Sequence, residues 1–169
     1  MLFRSIPSDA VDFTPTKATG VNIACGSTSR VGIYRADTYF TGGTAGKPNP
    51  TGFADMSAVP LPAPHAVYLK ERSGASFSYS ITGLSKSAKY NLTLHFTEDK
   101  FNATGKRTFN VAVNGVGILS KFDIYSVAKA QSKAIAQTFA VKADATGVIK
   151  LDFAGVVGDA KVNAIQLSK

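Results

Sequence analysis

Few side chains in this sequence could carry out acid–base or nucleophilic chemistry. The two glutamates, Glu71 and Glu98, would have to lie roughly 5–10 Å apart to act as the acid and base of a glycosidase. The chain contains neither a Gly-x-Ser-x-Gly elbow nor a His-Glu-x-x-His zinc motif. Each glutamate adjoins another charged residue, Arg72 or Asp99, which is typical of structural ion pairs and turn hydrogen bonds. The sequence therefore predicts that the protein is not an enzyme.

The histidines and the cysteine also indicate structural roles. His65 lies in a proline-rich segment, and His95 lies on the polar face of an alternating segment, where a solvated or hydrogen-bonded side chain is more common than a metal ligand. Cys25 ends the apolar run VNIAC and has no second cysteine to pair with, so we expect it to be a small core residue. No cofactor is expected, although loop carboxylates such as Asp37 and Asp55 leave room for a structural calcium ion.

The chain carries an excess of positive charge. Its 169 residues include 19 Lys and Arg against 11 Asp and Glu, a net charge of +8. These cations are spread from Arg4 to Lys169, and Lys106-Arg107 is the one adjacent pair. Such scatter is typical of a solvated surface and not of a nucleic-acid-binding stripe. No stretch approaches the roughly 20 consecutive apolar residues of a membrane helix, so neither nucleic acid nor membrane is an expected partner.

Alternation of apolar and polar residues indicates β-strands over most of the chain. Phe77, Tyr79 and Ile81 share one face of residues 75–82, while serines occupy the other face. Asn114 and Gly115 form the dipeptide best suited to a tight hairpin, because both positions tolerate positive φ. Many short strands of this kind predict an all-β fold, a two-sheet antiparallel β-sandwich of jelly-roll type. Further strands are predicted at 90–97, 109–113, 118–119, 139–141, 148–153 and 162–167.

Three segments depart from the strand pattern. Residues 40–66 hold most of the prolines and several glycines, which predicts a long loop across the sandwich. Residues 126–137 are rich in alanine and lysine and could form a short helical turn. Residues 1–18 are polar with little pattern, so we expect a tail or linker there and a single domain over residues 19–169.

Several segments in this order together resemble the malectin family of carbohydrate-binding modules, particularly its bacterial members. The family fold is a β-sandwich of jelly-roll type, in agreement with the alternation. The segments that carry the resemblance are YRADTYFTGG at 34–43, PAPHAVYLKER at 62–72, YNLTLHFTE at 90–98, RTFNVAVNG at 107–115 running into FDIY at 122–125, and AKVNAIQL at 160–167.

The resemblance implies non-catalytic glycan binding in a pocket on loops at one end of the sandwich, built from aromatic rings and an aspartate. A flat ring covers the apolar C–H face of a sugar, while carboxylate and amide groups bind its hydroxyls. Several family positions differ here, because Ser73 replaces a tyrosine and Lys100 replaces the first of two aromatics. The positions that correspond to the pocket, or adjoin it, are Phe53, Ser73, Lys100, Phe101, Asn102 and Asp159.

The leading hypothesis is a carbohydrate-binding module from a larger secreted polysaccharide-active or cell-surface protein. Its partner would be an oligo- or polysaccharide, and Lys100 in a cationic domain predicts a glycan that is acidic or at least unlike maltose. The chain start lacks the apolar segment of a signal peptide, so an extracellular or cell-surface location follows from the resemblance and not from a leader. The alternative is a protein-interaction or adhesion module whose sugar pocket has decayed. A hydrolase is the third hypothesis, with Glu98 as its test residue.

Overall fold

Ten strands and two short helices form the part of the chain that the structure, a computed structural model, describes: residues 20–46 and 51–169. The predicted tail at 1–18 lies outside the described residues. In chain order the elements are β1 (Gly20–Ala24), β2 (Phe40–Ala45), α1 (His65–Tyr68), β3 (Arg72–Ile81), β4 (Lys89–Phe96), β5 (Thr108–Val113), β6 (Val116–Phe122), α2 (Ile124–Ala128), β7 (Ile135–Lys142), β8 (Ile149–Val157), β9 (Ala160–Val162) and β10 (Ala164–Ser168).

Four of these strands form an antiparallel sheet in the order β1-β10-β4-β7. Its period-two pattern buries Leu92 and Leu94 of β4 in the core and turns the intervening Thr93 outward. The sheet register also pairs Gly20 of β1 with Ser168 of β10, so the first and last strands of the described chain lie side by side.

The second sheet has the order β2-β3-β8-β5-β6, with β9 paired to β3 beside that row. Its inward side chains meet those of the first sheet in one apolar core. The rings of Phe77 and Phe153 stack there with centroids 4.6 Å apart, and Cys25 is fully buried in the same core. Burial also raises the pKa of the Cys25 thiol well above its usual range, which suits a packing role. The predicted two-sheet antiparallel sandwich of jelly-roll type is confirmed.

The hairpin predicted at Asn114 and Gly115 joins β5 to β6, with φ of 47° and 81° at the two turn residues. The Asn114 side chain also links the two sheets. Its Nδ2 donates to the Lys142 carbonyl of β7 at 3.1 Å, and its Oδ1 accepts from the Lys150 amide of β8 at 2.8 Å. This asparagine therefore closes the sandwich at one end of both sheets.

Two expectations from the sequence are corrected. The proposed loop at 40–66 begins with strand β2, which pairs with the outer side of β3 and bulges between Gly42 and Thr44. Helical structure in the 126–137 region is confined to α2, where Asp123 Oδ1 accepts from the Ser126 amide at 2.9 Å. Residues from Ile135 onward form β7 instead, because they pair with the buried strand β4.

A second, smaller apolar cluster covers half of the outer face of the four-stranded sheet. His95 of β4 lies beneath it and is 1% exposed, and its Nδ1 shares a hydrogen bond with the Tyr68 hydroxyl at 2.8 Å. Of the two expectations for this histidine, hydrogen-bonded or solvated, the first is observed. Burial lowers the pKa of His95 and raises that of Tyr68 to about 12. The cluster consists of Ala24, Tyr34, Ala54, Val59, Ala63, Val67, Tyr68, Ala134 and Ala164.

Candidate functional site

The end of the sandwich beyond β4 carries most of the residues that the sequence analysis singled out. Three segments meet there: the β4–β5 loop (97–107), the β8–β9 turn with β9 (158–162), and the start of β3 (71–74). We call this region the loop end. Pairing of β9 with β3 sets Ser73 opposite Lys161, so the second and third segments are joined by sheet hydrogen bonds.

Glu98 organises the loop that follows β4. Its side chain is 1% exposed, and Oε1 accepts from the backbone amides of Lys100 at 3.1 Å and Phe101 at 3.2 Å. Its Oε2 accepts from Arg107 Nε at 2.6 Å. Both carboxylate oxygens are therefore engaged, which confirms the structural ion-pair interpretation of Glu98.

Phe101 is half-buried and lies close to two cations. The Arg107 guanidinium carbon and the Lys100 ammonium each lie 5.2 Å from the ring centroid, a distance at which cation–π attraction operates. Arg107 Nη1 also donates to the Asp159 carbonyl at 2.8 Å. The structure thus brings Lys100, Phe101 and Asp159 together around Arg107, and the side chains of Lys100 and Asp159 are exposed.

A buried lysine supports the floor of the loop end below Ser73. Lys161 is 1% exposed, and its ammonium pairs with Glu71 and, at 3.2 Å, with Asp99 Oδ2. Asp99 Oδ2 also accepts from the Thr97 hydroxyl at 2.9 Å. Removing an ammonium from water costs several kcal/mol, and two carboxylates offset that cost here. Ser73 itself is half-buried.

Phe53 and Asn102 have no contact of their own with Arg107 among those described above. Phe53 is 60% exposed, and its loop reaches the loop end through backbone hydrogen bonds: Asp55 N–H donates to the Ser132 carbonyl, and Ser132 N–H donates to the Glu98 carbonyl, both at 2.8 Å. Asn102 is exposed directly after Phe101. The Phe53 loop is therefore connected to the backbone of Glu98 through Ser132.

The carboxylates considered for calcium have protein partners. Asp37 accepts from Arg72 Nε at 2.8 Å, from the Tyr79 hydroxyl at 2.8 Å and from the Gly26 amide at 2.7 Å. Asp55 accepts from the backbone amide of Ser57, and this bond lowers the pKa of its exposed carboxyl. Within residues 20–46 and 51–169, no group of three or more His, Cys, Asp or Glu side chains could hold a metal ion.

Sequence reasoning missed the central position of Arg107. Its partner Glu98 is nine residues away, across a loop, so no local spacing relates the two. One signal for the pair was available, because both residues lie next to strand ends. A charge that the fold buries there needs an opposite charge nearby. Lys106, its neighbour in the sequence, is exposed instead.

Comparison with solved structures finds the same fold in proteins of different types. The ANX2 ectodomain from Arabidopsis thaliana matches with a TM-score of 0.76 and 16% identity, over 87% of this chain and 48% of that one. The ANXUR1 extracellular domain from the same plant gives 0.73 and 16%, over 87% and 47%. A Bacteroides uniformis β-glucuronidase gives 0.68 and 17%, over 91% of this chain but 18% of the enzyme. The chain thus spans about half of each plant ectodomain.

Sequence comparison gives the family. No curated protein matches the chain significantly, but the family model described as "Malectin domain" matches residues 19–165. Malectin-like domains have a carbohydrate-binding type of fold and are typically binding modules. In the described part of the chain, no helix has the length and apolar character needed to cross a bilayer. A family match over most of the sequence, with the matching fold, shows that this chain belongs to the malectin domain family.

Proposed function

We propose that this domain, residues 19–169, is a non-catalytic module that binds an acidic oligo- or polysaccharide at the loop end. The observation that carries the proposal is the fixed position of Phe101, whose amide binds Glu98 and whose ring lies 5.2 Å from both Arg107 and Lys100. A ring held in place before the ligand arrives loses little conformational entropy on binding. Phe101 would cover the C–H face of one sugar unit.

Charge at the loop end supports an acidic ligand. Arg107 and Lys161 are buried in ion pairs with carboxylates, whereas exposed Lys100 has no carboxylate partner within the described residues. Its ammonium could pair with a uronate carboxylate beside the Phe101 ring. An exposed ion pair contributes about 0.2–1 kcal/mol, which corresponds to a preference of up to about fivefold over a neutral sugar.

Hydroxyl recognition would come from the polar groups around the ring. Exposed Asp159 is anchored through its backbone carbonyl to Arg107 at 2.8 Å, so its carboxylate can accept hydrogen bonds from sugar hydroxyls. Asn102 and Ser73 would add an amide and a hydroxyl, and Phe53 would provide a second ring. Shallow sites of this kind bind weakly, and a Kd of roughly 0.1 mM corresponds to about −5.5 kcal/mol.

Affinity electrophoresis in gels that contain polygalacturonate, alginate, dextran or barley β-glucan tests the proposal. We expect retention by a uronate polymer, loss of retention in Phe101→Ala, and loss of the uronate preference in Lys100→Gln. Val116→Ala is the matched control, because Val116 is 69% exposed and follows the hairpin turn. Phe101→Ala that is retained as strongly as Val116→Ala would show that the pocket assignment is wrong. Neutral glucans that outbind uronates in moderate salt would refute the charge argument.

The proteins that share this fold support a proposal about where the domain acts and what it is joined to. It matches 18% of a bacterial β-glucuronidase and about half of two plant extracellular regions. We therefore propose that the domain acts outside the cell or on its surface, covalently joined to other domains that include a polysaccharide-active one. Such a module would hold the linked catalytic domain near its polymer by raising its effective concentration there.

A protein-interaction or adhesion role is the second candidate. Val156 and Val157 are 45% and 46% exposed and directly precede Gly158 and Asp159, and Ser73 stands where the family has a tyrosine. Exposed apolar side chains next to the loop end could contribute to contact with a protein partner. Failure to bind any of the four polysaccharides, together with a stable oligomer in light scattering, would favour this role.

A further inference from the structure

A groove of about 320 Å³ crosses the outer face of the four-stranded sheet, away from the loop end. Val59 of the second apolar cluster lines the groove together with residues of β4, β7 and β10. Its volume is within the roughly 300–1,000 Å³ of small-molecule sites. The lining residues that matter to the argument are Pro60, Leu61, Thr93, Thr138, Gln166 and Ser168.

The floor of the groove is a row of neutral hydrogen-bonding side chains. Gln166 of β10, Thr93 of β4 and Thr138 of β7 are direct register partners on three adjacent strands. The Thr93 and Thr138 hydroxyl oxygens lie 2.9 Å apart in a shared hydrogen bond. Because neighbouring strands are about 4.8 Å apart, the row presents polar groups over roughly 10 Å.

Gln166 is held in one orientation by buried groups behind the sheet face. Its Oε1 accepts from the Tyr34 hydroxyl at 3.1 Å and lies 3.5 Å from His95 Nε2. On the other side of the imidazole, His95 Nδ1 shares a hydrogen bond with the Tyr68 hydroxyl at 2.8 Å, so both ring nitrogens face polar partners. Gln166 lines the groove, and with its oxygen engaged by Tyr34 its amide NH₂ group can donate to a ligand there.

The wall of the groove is apolar and the lining carries no charge. Leu61 is 86% exposed, and Pro60 beside it is also exposed. A sugar ring has the two surfaces that this arrangement requires, an apolar C–H face for the wall and hydroxyls for the threonines and Gln166. Of the strands that line the groove, β4 and β10 are paired on both sides and β7 has a free outer edge within the described sheet, so a peptide that added as a strand would lie beside Thr138 and not across the polar row.

We propose that this groove is a second glycan-binding site, which takes an uncharged oligosaccharide. The site is independent of the loop end, because none of its lining residues belongs to the loop-end segments. A module with two sites could hold one polymer at two points, or two polymers of different charge.

An NMR titration with cellohexaose, laminarihexaose, maltohexaose and mannohexaose tests the proposal. At least one hexasaccharide should shift the backbone signals of Thr93 and Thr138 and the side-chain NH₂ signals of Gln166, with saturation at millimolar ligand. Thr138→Glu should weaken this binding at least fivefold, because it places a carboxylate in the groove. Leu61→Ser should weaken it through loss of the apolar wall.

The controls separate this site from the loop end. Thr41→Glu makes the same substitution at an exposed threonine of β2, in the other sheet, and should leave the titration unchanged, as should Phe101→Ala. The proposal is overturned if no hexasaccharide shifts the groove signals, or if Thr138→Glu binds as Thr41→Glu does. It is also overturned if Thr138→Glu dissociates a dimer in light scattering, since the occupant is then a second copy of the chain.

Discussion

Replacing Glu98 by glutamine should strongly destabilise the domain, although the two side chains have nearly the same shape. Glu98 uses one carboxylate oxygen for the amides of Lys100 and Phe101 and the other for Arg107 Nε. Glutamine has a single acceptor oxygen. In either orientation of its amide, an NH₂ group faces a buried donor and the Arg107 cation loses its counterion.

The magnitude follows from the burial of the pair. The side chains of Arg107 and Glu98 are 8% and 1% exposed, and removing one partner of a buried pair costs about 3–5 kcal/mol. Since a domain of this size loses about 2–4 °C of melting temperature per kcal/mol, Tm should fall by roughly 6–20 °C. The loop end should also lose glycan affinity, because Phe101 is no longer held by its amide.

Urea unfolding followed by circular dichroism measures the change, with Asp152→Asn as the matched control. Asp152 pairs with Lys150 at 3.0 Å, but those side chains are 41% and 53% exposed, so its loss should cost less than about 1 kcal/mol. If the free energies of unfolding of Glu98→Gln and Asp152→Asn differ by less than about 1 kcal/mol, the argument from the buried pair is wrong. Polysaccharide hydrolysis by the wild type that is lost in a Glu98→Gln variant of unchanged stability would refute the structural role.

Two further predictions concern buried groups and backbone. Burial lowers the pKa of His95, so this side chain binds protons more readily in the unfolded state. The free energy of unfolding should therefore fall as pH drops below about 6.5, with a slope of up to about 1.4 kcal/mol per pH unit. Urea unfolding curves at several pH values should show a smaller slope for His95→Asn than for the wild type, and an unchanged slope would contradict this prediction. Gly26 has φ +74°, and an added Cβ would lie 2.0 Å from the Glu71 carbonyl oxygen, whereas a Cβ at Gly52 (φ +62°) would meet nothing. Gly26→Ala should therefore lower the free energy of unfolding by more than the roughly 1–2 kcal/mol of backbone strain expected for Gly52→Ala. Calorimetry that finds equal losses for the two variants would contradict this contact.

Much of the sandwich could be predicted because its strands alternate. Phe77, Tyr79 and Ile81 are all buried on one face of β3, as their spacing indicates. Strand β2 could not be predicted in the same way. Its sequence FTGGTA has no alternation, and it becomes a strand because the backbone of β3 offers an edge and the Arg72 guanidinium carbon lies 3.4 Å from the Phe40 ring centroid.

The candidate site, like the fold, could be predicted from the sequence only in part. Sequence similarity directs attention to Phe101 and Asp159, and the structure brings the segments that carry them together. The group that joins them, Arg107, pairs with a residue across a loop, and the lysine beneath them, Lys161, is fully buried. Contacts of this kind depend on how loops meet in three dimensions, so a linear pattern of residue types does not reveal them. The His95 environment is non-local for the same reason, since the covering Tyr68 comes from α1.

The pairing of Gly20 with Ser168 decides how the domain can be built into a longer polypeptide. In β4, Asn91 pairs with Ser168 and His95 with Ala164, so the strand runs from this corner toward the loop end. Any flanking segments would therefore enter and leave at one corner, opposite the loop end. A domain with this geometry can be inserted between other elements much as a surface loop can.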